Sequence, residues 1–170
     1  MGKLLLVLYL SIFVSCSYKT IPLKGEYQTG PYIQSTTTSI DKVWDKLVDL
    51  FATKGLSIKV IDKSSGLIVS DKYKLSVTQE NKSGKLINPN AYVVSVKLYN
   101  PGSRTYLPIN TTVGEWNVRI KPDGNGGTII NVNLVNIQEV WTDSKGYSKD
   151  VVSTAKSTGV FEKIIFDTIK

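Results

Sequence analysis

The sequence predicts an α+β fold: a curved antiparallel β-sheet packed on one face by an N-terminal and a C-terminal helix. Three observations carry this expectation. Beta-branched residues and tyrosine are abundant and turn signals recur at short intervals, which favours strands. Apolar residues from Ile40 to Phe51 recur at helical spacing. A second helical pattern closes the chain from about Asp150. Helices that bracket a run of strands gather on one face of an antiparallel sheet.

The chain opens with Lys3 and an apolar run from Leu4 to Val14, followed by Ser15 and Cys16. A positive start, a short apolar stretch and a small residue at its end are the marks of a secretory signal. The run is shorter than the ~20 residues a membrane-spanning helix needs. Phe13-Val14-Ser15-Cys16 resembles the lipobox of bacterial lipoproteins, in which the cysteine is acylated and becomes the new N-terminus. Phe13 departs from the usual leucine. Cys16 is the only cysteine of the chain, which fits a lipidation site better than a chance position. The ordinary alternative is a plain signal peptide, or a short anchor helix, with Cys16 incidental. Ser17 is not the aspartate that retains some lipoproteins at the inner membrane. No acidic run follows Cys16, unlike the export signal of some Bacteroidota surface lipoproteins. The resemblance therefore implies a lipid anchor in the outer membrane of a Gram-negative envelope, facing the periplasm.

Three regions follow: a signal peptide over 1–15, a lipidated tether over 16–30, and one α+β domain over 31–170. About 155 residues remain after the signal, enough for one domain with a sizeable core. Pro22, Gly25 and Gly30 mark the tether.

Residues 31–38 predict a first strand. Ile40, Val43, Trp44, Leu47, Val48 and Phe51 form the apolar stripe of a helix. Thr38 or Ser39 can cap it, Asp41 suits its positive end, and Gly55 stops it. Trp44 within that stripe reads as core rather than as a ligand platform. Asp41, Asp45 and Asp49 fall on the opposite, solvated face with Lys42 and Lys46.

Leu56, Ile58 and Val60 alternate with polar residues, Asp62 to Gly66 supplies a turn, and Leu67 to Val69 returns. Tyr73, Leu75 and Val77 continue the alternation. Residues 80–90 read as a polar loop. Tyr92, Val94, Val96 and Leu98 line one face of a strand, and residues 100–114 read as a long connection. Trp116, Val118 and Ile120 face inward on the next strand. Lys121 to Gly127 turns it, and Ile130, Val132 and Leu134 return, with 136–142 as an extension. Gly124, Gly126 and Gly127 hint at a phosphate cradle. No helix follows them, so a hairpin turn is expected. Asp143 to Gly146 reads as a further turn. From Asp150, Val151, Val152 and Ala155 form one helical patch and Phe161, Ile164, Ile165 and Ile169 a second. Gly159 either kinks this helix or caps a separate last one with Glu162 at its third position.

The chain carries a net charge of +7 and no histidine. Its basic residues are spread along strands and turns, as in Lys72 with Lys74, Arg119 with Lys121, and Lys82 with Lys85. Such spacing suits solvated faces rather than a nucleic-acid patch. Without histidine, and with its one cysteine at the lipidation position, the domain lacks the residues for histidine triads, cysteine nucleophiles or thiolate and imidazole metal sites. No metal, cofactor or nucleic-acid partner is expected. Asp71, Glu80, Glu115 and Glu139 show no grouping that suggests carboxylate chemistry.

The segment from Val43 through Gly55 to Ile68 resembles the helix–hairpin part of small envelope lipoprotein domains of the BamC type. Trp116 to Ile129, a hairpin with a glycine-rich turn, is similar in style. The architecture looks like a helix-grip arrangement. The resemblance implies a non-catalytic periplasmic domain that binds an envelope protein partner or supports assembly. Loops 80–90 and 100–114 are the expected contact surface, since exposed loops commonly carry binding. Tyr99, Arg104 and Tyr106 are the candidate contacts, because tyrosine and arginine are enriched at binding hot spots. Capping of the sheet edge is the competing role for these three. The competing function is a lipid or small-molecule carrier, since a sheet gripping a helix can enclose an apolar cavity.

Overall fold

The apolar stripe of the first helix becomes α1 (Ile40–Thr53), which buries Val43, Trp44, Leu47 and Phe51. The computed structural model describes residues 18–142, 146, 148–152 and 154–170. Ser39 takes the N-cap position of α1 and its carbonyl accepts from Val43 N. Gly55 follows the helix at φ 66°, the left-handed region glycine enters without a Cβ penalty.

Ahead of α1 lie β1 (Lys19–Ile21) and β2 (Tyr32–Thr36). After it come β3 (Ile58–Asp62) and β4 (Leu67–Ser70), joined by the expected turn. Asp62 Oδ1 accepts from Ser64 N and Ser64 Oγ there. Next are β5 (Tyr73–Lys74), β6 (Val77–Thr78), β7 (Val93–Val94), β8 (Lys97–Asn100) and β9 (Thr105–Tyr106). The long hairpin is β10 (Ile109–Pro122) with β11 (Thr128–Thr142). Then come β12 (Ser148–Val152), β13 (Lys156–Ser157) and the last helix α2 (Val160–Ile169).

The fold is α+β, with open, mainly antiparallel sheets and the two helices packed against them. The main sheet has seven strands in the order β12-β11-β10-β4-β3. β2 joins β11 beyond β12, and β5 joins β10 beyond β4. Two three-stranded sheets, β1-β8-β9 and β13-β7-β6, stand beside it. The pair β6–β7 is parallel.

Register decides which side of the main sheet the helices cover. Tyr32, Val132, Val118 and Ile68 pair in one row, and Gln34, Ile130 and Ile120 in the next. Val132, Val118, Ile68, Ile130 and Ile120 are all buried. α1 and α2 complete this core with Phe51, Leu47, Phe161 and Ile165. Trp116 and Phe161 stack with centroids 4.0 Å apart, and Tyr92 meets both edge-on. Such aromatic pairs add about 0.5–1.5 kcal/mol beyond the area they bury.

Five expectations change. Residues 18–30, expected as a tether, lie against the domain: β1 pairs β8, and Lys24 to Tyr27 dock on Glu80. The alternation from Tyr73 to Thr78 splits into β5 and β6, which belong to different sheets. The strand expected over Tyr92 to Leu98 divides into β7 and β8, and Val93 to Val96 are buried on both faces. The connection expected over 100–114 is short, because β9 pairs β8 and β10 begins at Ile109. Two register shifts in β10, between Ile109 and Thr111 and between Val113 and Glu115, break the alternation that would mark it as a strand. Finally, the helix expected from Asp150 starts only at Val160. Residues 148–152 pair with β11 instead, and Gly159 at φ 83° heads a separate helix.

The glycine-rich turn is a hairpin turn as expected. Asp123 Oδ1 accepts from Asn125 N and Gly127 N. The signal peptide, Cys16 and most of the Asp143–Gly146 turn lie outside the described residues.

Candidate functional site

The three candidate contact residues fall on one small hairpin. β8 and β9 pair Tyr99 with Tyr106, and their rings sit 5.3 Å apart. Asn100 Oδ1 accepts from Gly102 N and Ser103 N and so fixes the turn. Arg104 occupies that turn at φ 54° with its side chain exposed. Lys97 Nζ lies 5.9 Å from the Tyr106 ring centroid, at the outer limit of a cation–π contact. The structure thus brings Tyr99 and Tyr106 together and leaves Arg104 at the tip.

A third strand completes this sheet, and nothing in the sequence announces it. β1 pairs Lys19 with Tyr99 and Ile21 with Lys97. Residues directly opposite one another, and those two apart in a strand, share a face. Lys19, Ile21, Lys97, Tyr99 and Tyr106 therefore lie on one face. Tyr106 is 57% exposed and Ile21 39%.

A buried carboxylate holds the chain that follows β1. Glu80 accepts from Lys24 N at 2.7 Å, Gly25 N at 2.8 Å and the Tyr27 hydroxyl at 2.8 Å. Burial alone would raise its pKa. The two N–H groups, the Tyr27 hydroxyl and the Lys24 charge outweigh it and hold the carboxyl below the usual glutamate range. Burial and the same carboxylate push the Tyr27 hydroxyl up to about 12. Gly25 is required at this contact, because a Cβ there would lie 2.9 Å from Glu80 Oε1. Between this strap and the β1-β8-β9 sheet opens a cleft of about 340 Å³. Lys24, Lys82 and Lys97 line it with Ile21, Leu23 and Tyr106. Basic residues spread through the sequence are gathered here in space.

The main sheet offers a second surface on the side away from the helices. Ile33, Asn131, Arg119 and Leu67 pair across four strands, and Val60 pairs Val69 beside them. Ile33 is 63% exposed and Val60 41%. Leu67, Val69 and Ile129 are half-buried in the same face, and Arg119 and Lys121 are exposed. A register shift between Ile58 and Val60 turns Val60 outward, against the expected alternation.

The remaining acidic residues are mostly structural. Asp41, Asp45 and Asp49 are exposed as expected, and Asp41 pairs with Lys63 Nζ at 2.8 Å. Glu80, Glu115, Glu139 and Glu162 are buried. Glu115 accepts from Asn136 Nδ2 at 2.8 Å, and Lys59 Nζ lies 3.7 Å away. Glu162 does not cap its helix. Its Oε1 accepts from Ser157 Oγ at 2.6 Å, and burial raises its pKa against that hydrogen bond. Among the described residues no three acidic or sulfur side chains gather as a metal site. Among the same residues no helix is long and apolar enough to cross a membrane.

No family model matches the chain, and no curated protein matches it.

Proposed function

We propose that the chain is a lipid-anchored cell-envelope protein of non-enzymatic role, held in the outer membrane through Cys16 and binding an envelope protein partner. The observation that carries this reading is the open face of the main sheet. An antiparallel sheet with one face on the core presents polar residues to water on the other. Here that face presents Ile33 and Val60 beside half-buried Leu67, Val69 and Ile129, with Arg119 and Lys121 among them. An apolar strip with a basic element suits a protein contact, where apolar residues make the centre and charges the rim.

The space between helices and sheet supports a surface role over carriage. Trp116, Phe161 and Tyr92 pack against one another in the core between helices and sheet. Their close packing leaves the exposed faces as the better candidates for binding.

Site-specific photo-crosslinking tests the proposal. A crosslinker at Ile33 or Val60 is expected to capture one reproducible protein in native envelopes. The same group at Asp45, on the exposed face of α1, is expected to capture none. Equal capture at all three positions, or none at Ile33 and Val60, overturns the assignment.

A further inference from the structure

We propose that the β1-β8-β9 face lies on the bilayer itself, with its lysines and Arg104 held against anionic lipid headgroups. The inference rests on the lipid-anchored reading of Cys16.

The topology places this sheet beside the anchor. Lys19 pairs with Tyr99, so the N-terminal end of β1 sits at the turn end of the β8–β9 hairpin. Three residue steps separate Cys16 from Lys19, a reach of at most about 11 Å. Exposed Tyr18 stands between them. An acylated Cys16 would therefore hold Lys19 about a Debye length or less from the headgroups, with Tyr99 paired beside it and the Arg104 turn next along the hairpin.

The face has the composition of a membrane–water boundary. Tyr99 and Tyr106 supply rings with an apolar body and a polar tip, Ile21 supplies apolar surface, and Lys19 and Lys97 supply charge. The adjoining cleft adds Lys24 and Lys82. Its carboxylate, Glu80, is engaged by two backbone N–H groups and the Tyr27 hydroxyl. The long lysine side chains can cover apolar surface while their charges reach phosphate. Tyr99, Arg104 and Tyr106 are thereby assigned to lipid, where the sequence reading has them meet a protein.

The test uses the lipidated full chain carrying Ser103→Cys as its free thiol, labelled with a polarity-sensitive fluorophore. Ser103 is in the hairpin turn, so the substitution leaves Lys19, Lys97 and Tyr106 in place. Asp45→Cys on α1 is the reference. Both are reconstituted in phosphatidylcholine vesicles with about 30% phosphatidylglycerol and a nitroxide-headgroup lipid. Quenching at 103 is expected to exceed that at 45 by about twofold or more, and to lose this excess on pure phosphatidylcholine or in Lys19→Glu/Arg104→Glu. Equal quenching at both positions on protein that floats with the vesicles overturns the inference and leaves the anchor standing. Protein that fails to float overturns the anchored reading, and the inference with it. A crosslink from Tyr106 in native envelopes to protein rather than lipid assigns the face to a partner and also overturns the inference.

Discussion

Two buried glutamates give the protein opposite responses to pH. Glu162 has a folded pKa above its unfolded value, so its contribution is fully present below the ordinary glutamate range and is lost as pH rises through the folded value. Glu80 has a folded pKa below its unfolded value. Its contribution is present above the ordinary range and is lost as pH falls through the folded value. Glu162→Gln is predicted to raise Tm at neutral pH and to flatten the decline of Tm with rising pH. Thermal melts from pH 4 to 8 check this; an unchanged slope would contradict it. Glu80→Gln is predicted to cost about 1–3 kcal/mol, because hydrogen bonds to a charged group are replaced by weaker ones. Hydrogen exchange at the Lys24 and Gly25 amides should accelerate while that of α1 changes little. Neither role was legible in the sequence. Glu80 meets Lys24, Gly25 and Tyr27 from more than 50 positions away. Glu162 was placed correctly at the start of the helix, but its bond runs to Ser157 rather than to the cap.

The elements differ in how far they depend on their surroundings. α2 spans ten residues, below the ~12–15 at which an isolated helix becomes even marginal. Its stability comes from packing, and Phe161, buried and stacked on Trp116, is part of that contact. Phe161→Ala is predicted to cost about 3–5 kcal/mol in chemical denaturation. The turns separate two kinds of glycine. Gly66 has φ 68°, and a Cβ there would lie 2.0 Å from the Ile120 carbonyl oxygen. Gly124 has φ 85° with open space around it. Gly124→Ala should therefore cost only about 1–2 kcal/mol, the left-handed penalty. Gly66→Ala should cost well beyond that, because it also forces apart β4 and β10. Equal losses in the two melts would contradict this account.

Local signals explain which elements the sequence revealed. α1 and the β10–β11 turn follow from periodicity and turn chemistry within a dozen residues. The first half of β10 was hidden by its register shifts and by Pro108 and Gly114, which read as loop residues. β12 was hidden because Val151, Val152 and Ala155 fit helical spacing, and its true determinant is a partner strand, β11. β1 pairs with β8 nearly eighty residues on, which no local pattern can carry.

At the scale of the whole molecule, the fold separates a filled core from two exposed faces. The α+β class and the helices on one side of the sheet were legible, because they depend on composition and element order. The division into one large sheet and two small ones was not, because it depends on which short strands find each other. The candidate site was half legible. Tyr99 and Tyr106 stand out in the sequence, but the strand β1 that pairs beside them and the lysines gathered there emerge only in three dimensions. The outer face with Ile33 and Val60 was missed, since Ile33 reads as one residue of a short strand and Val60 as part of a regular alternation.

Cys16 is the centre of the proposal, because a lipid anchor there would set which face meets the membrane and which remains free for a partner. Intact-mass spectrometry of the mature protein extracted from envelopes tests this most directly. The predicted result is a chain that begins at Cys16 and carries the mass of its attached acyl chains, with that mass absent from Cys16→Ser. A chain that retains residues 1–15, or one whose Cys16 is an unmodified thiol, would contradict the account.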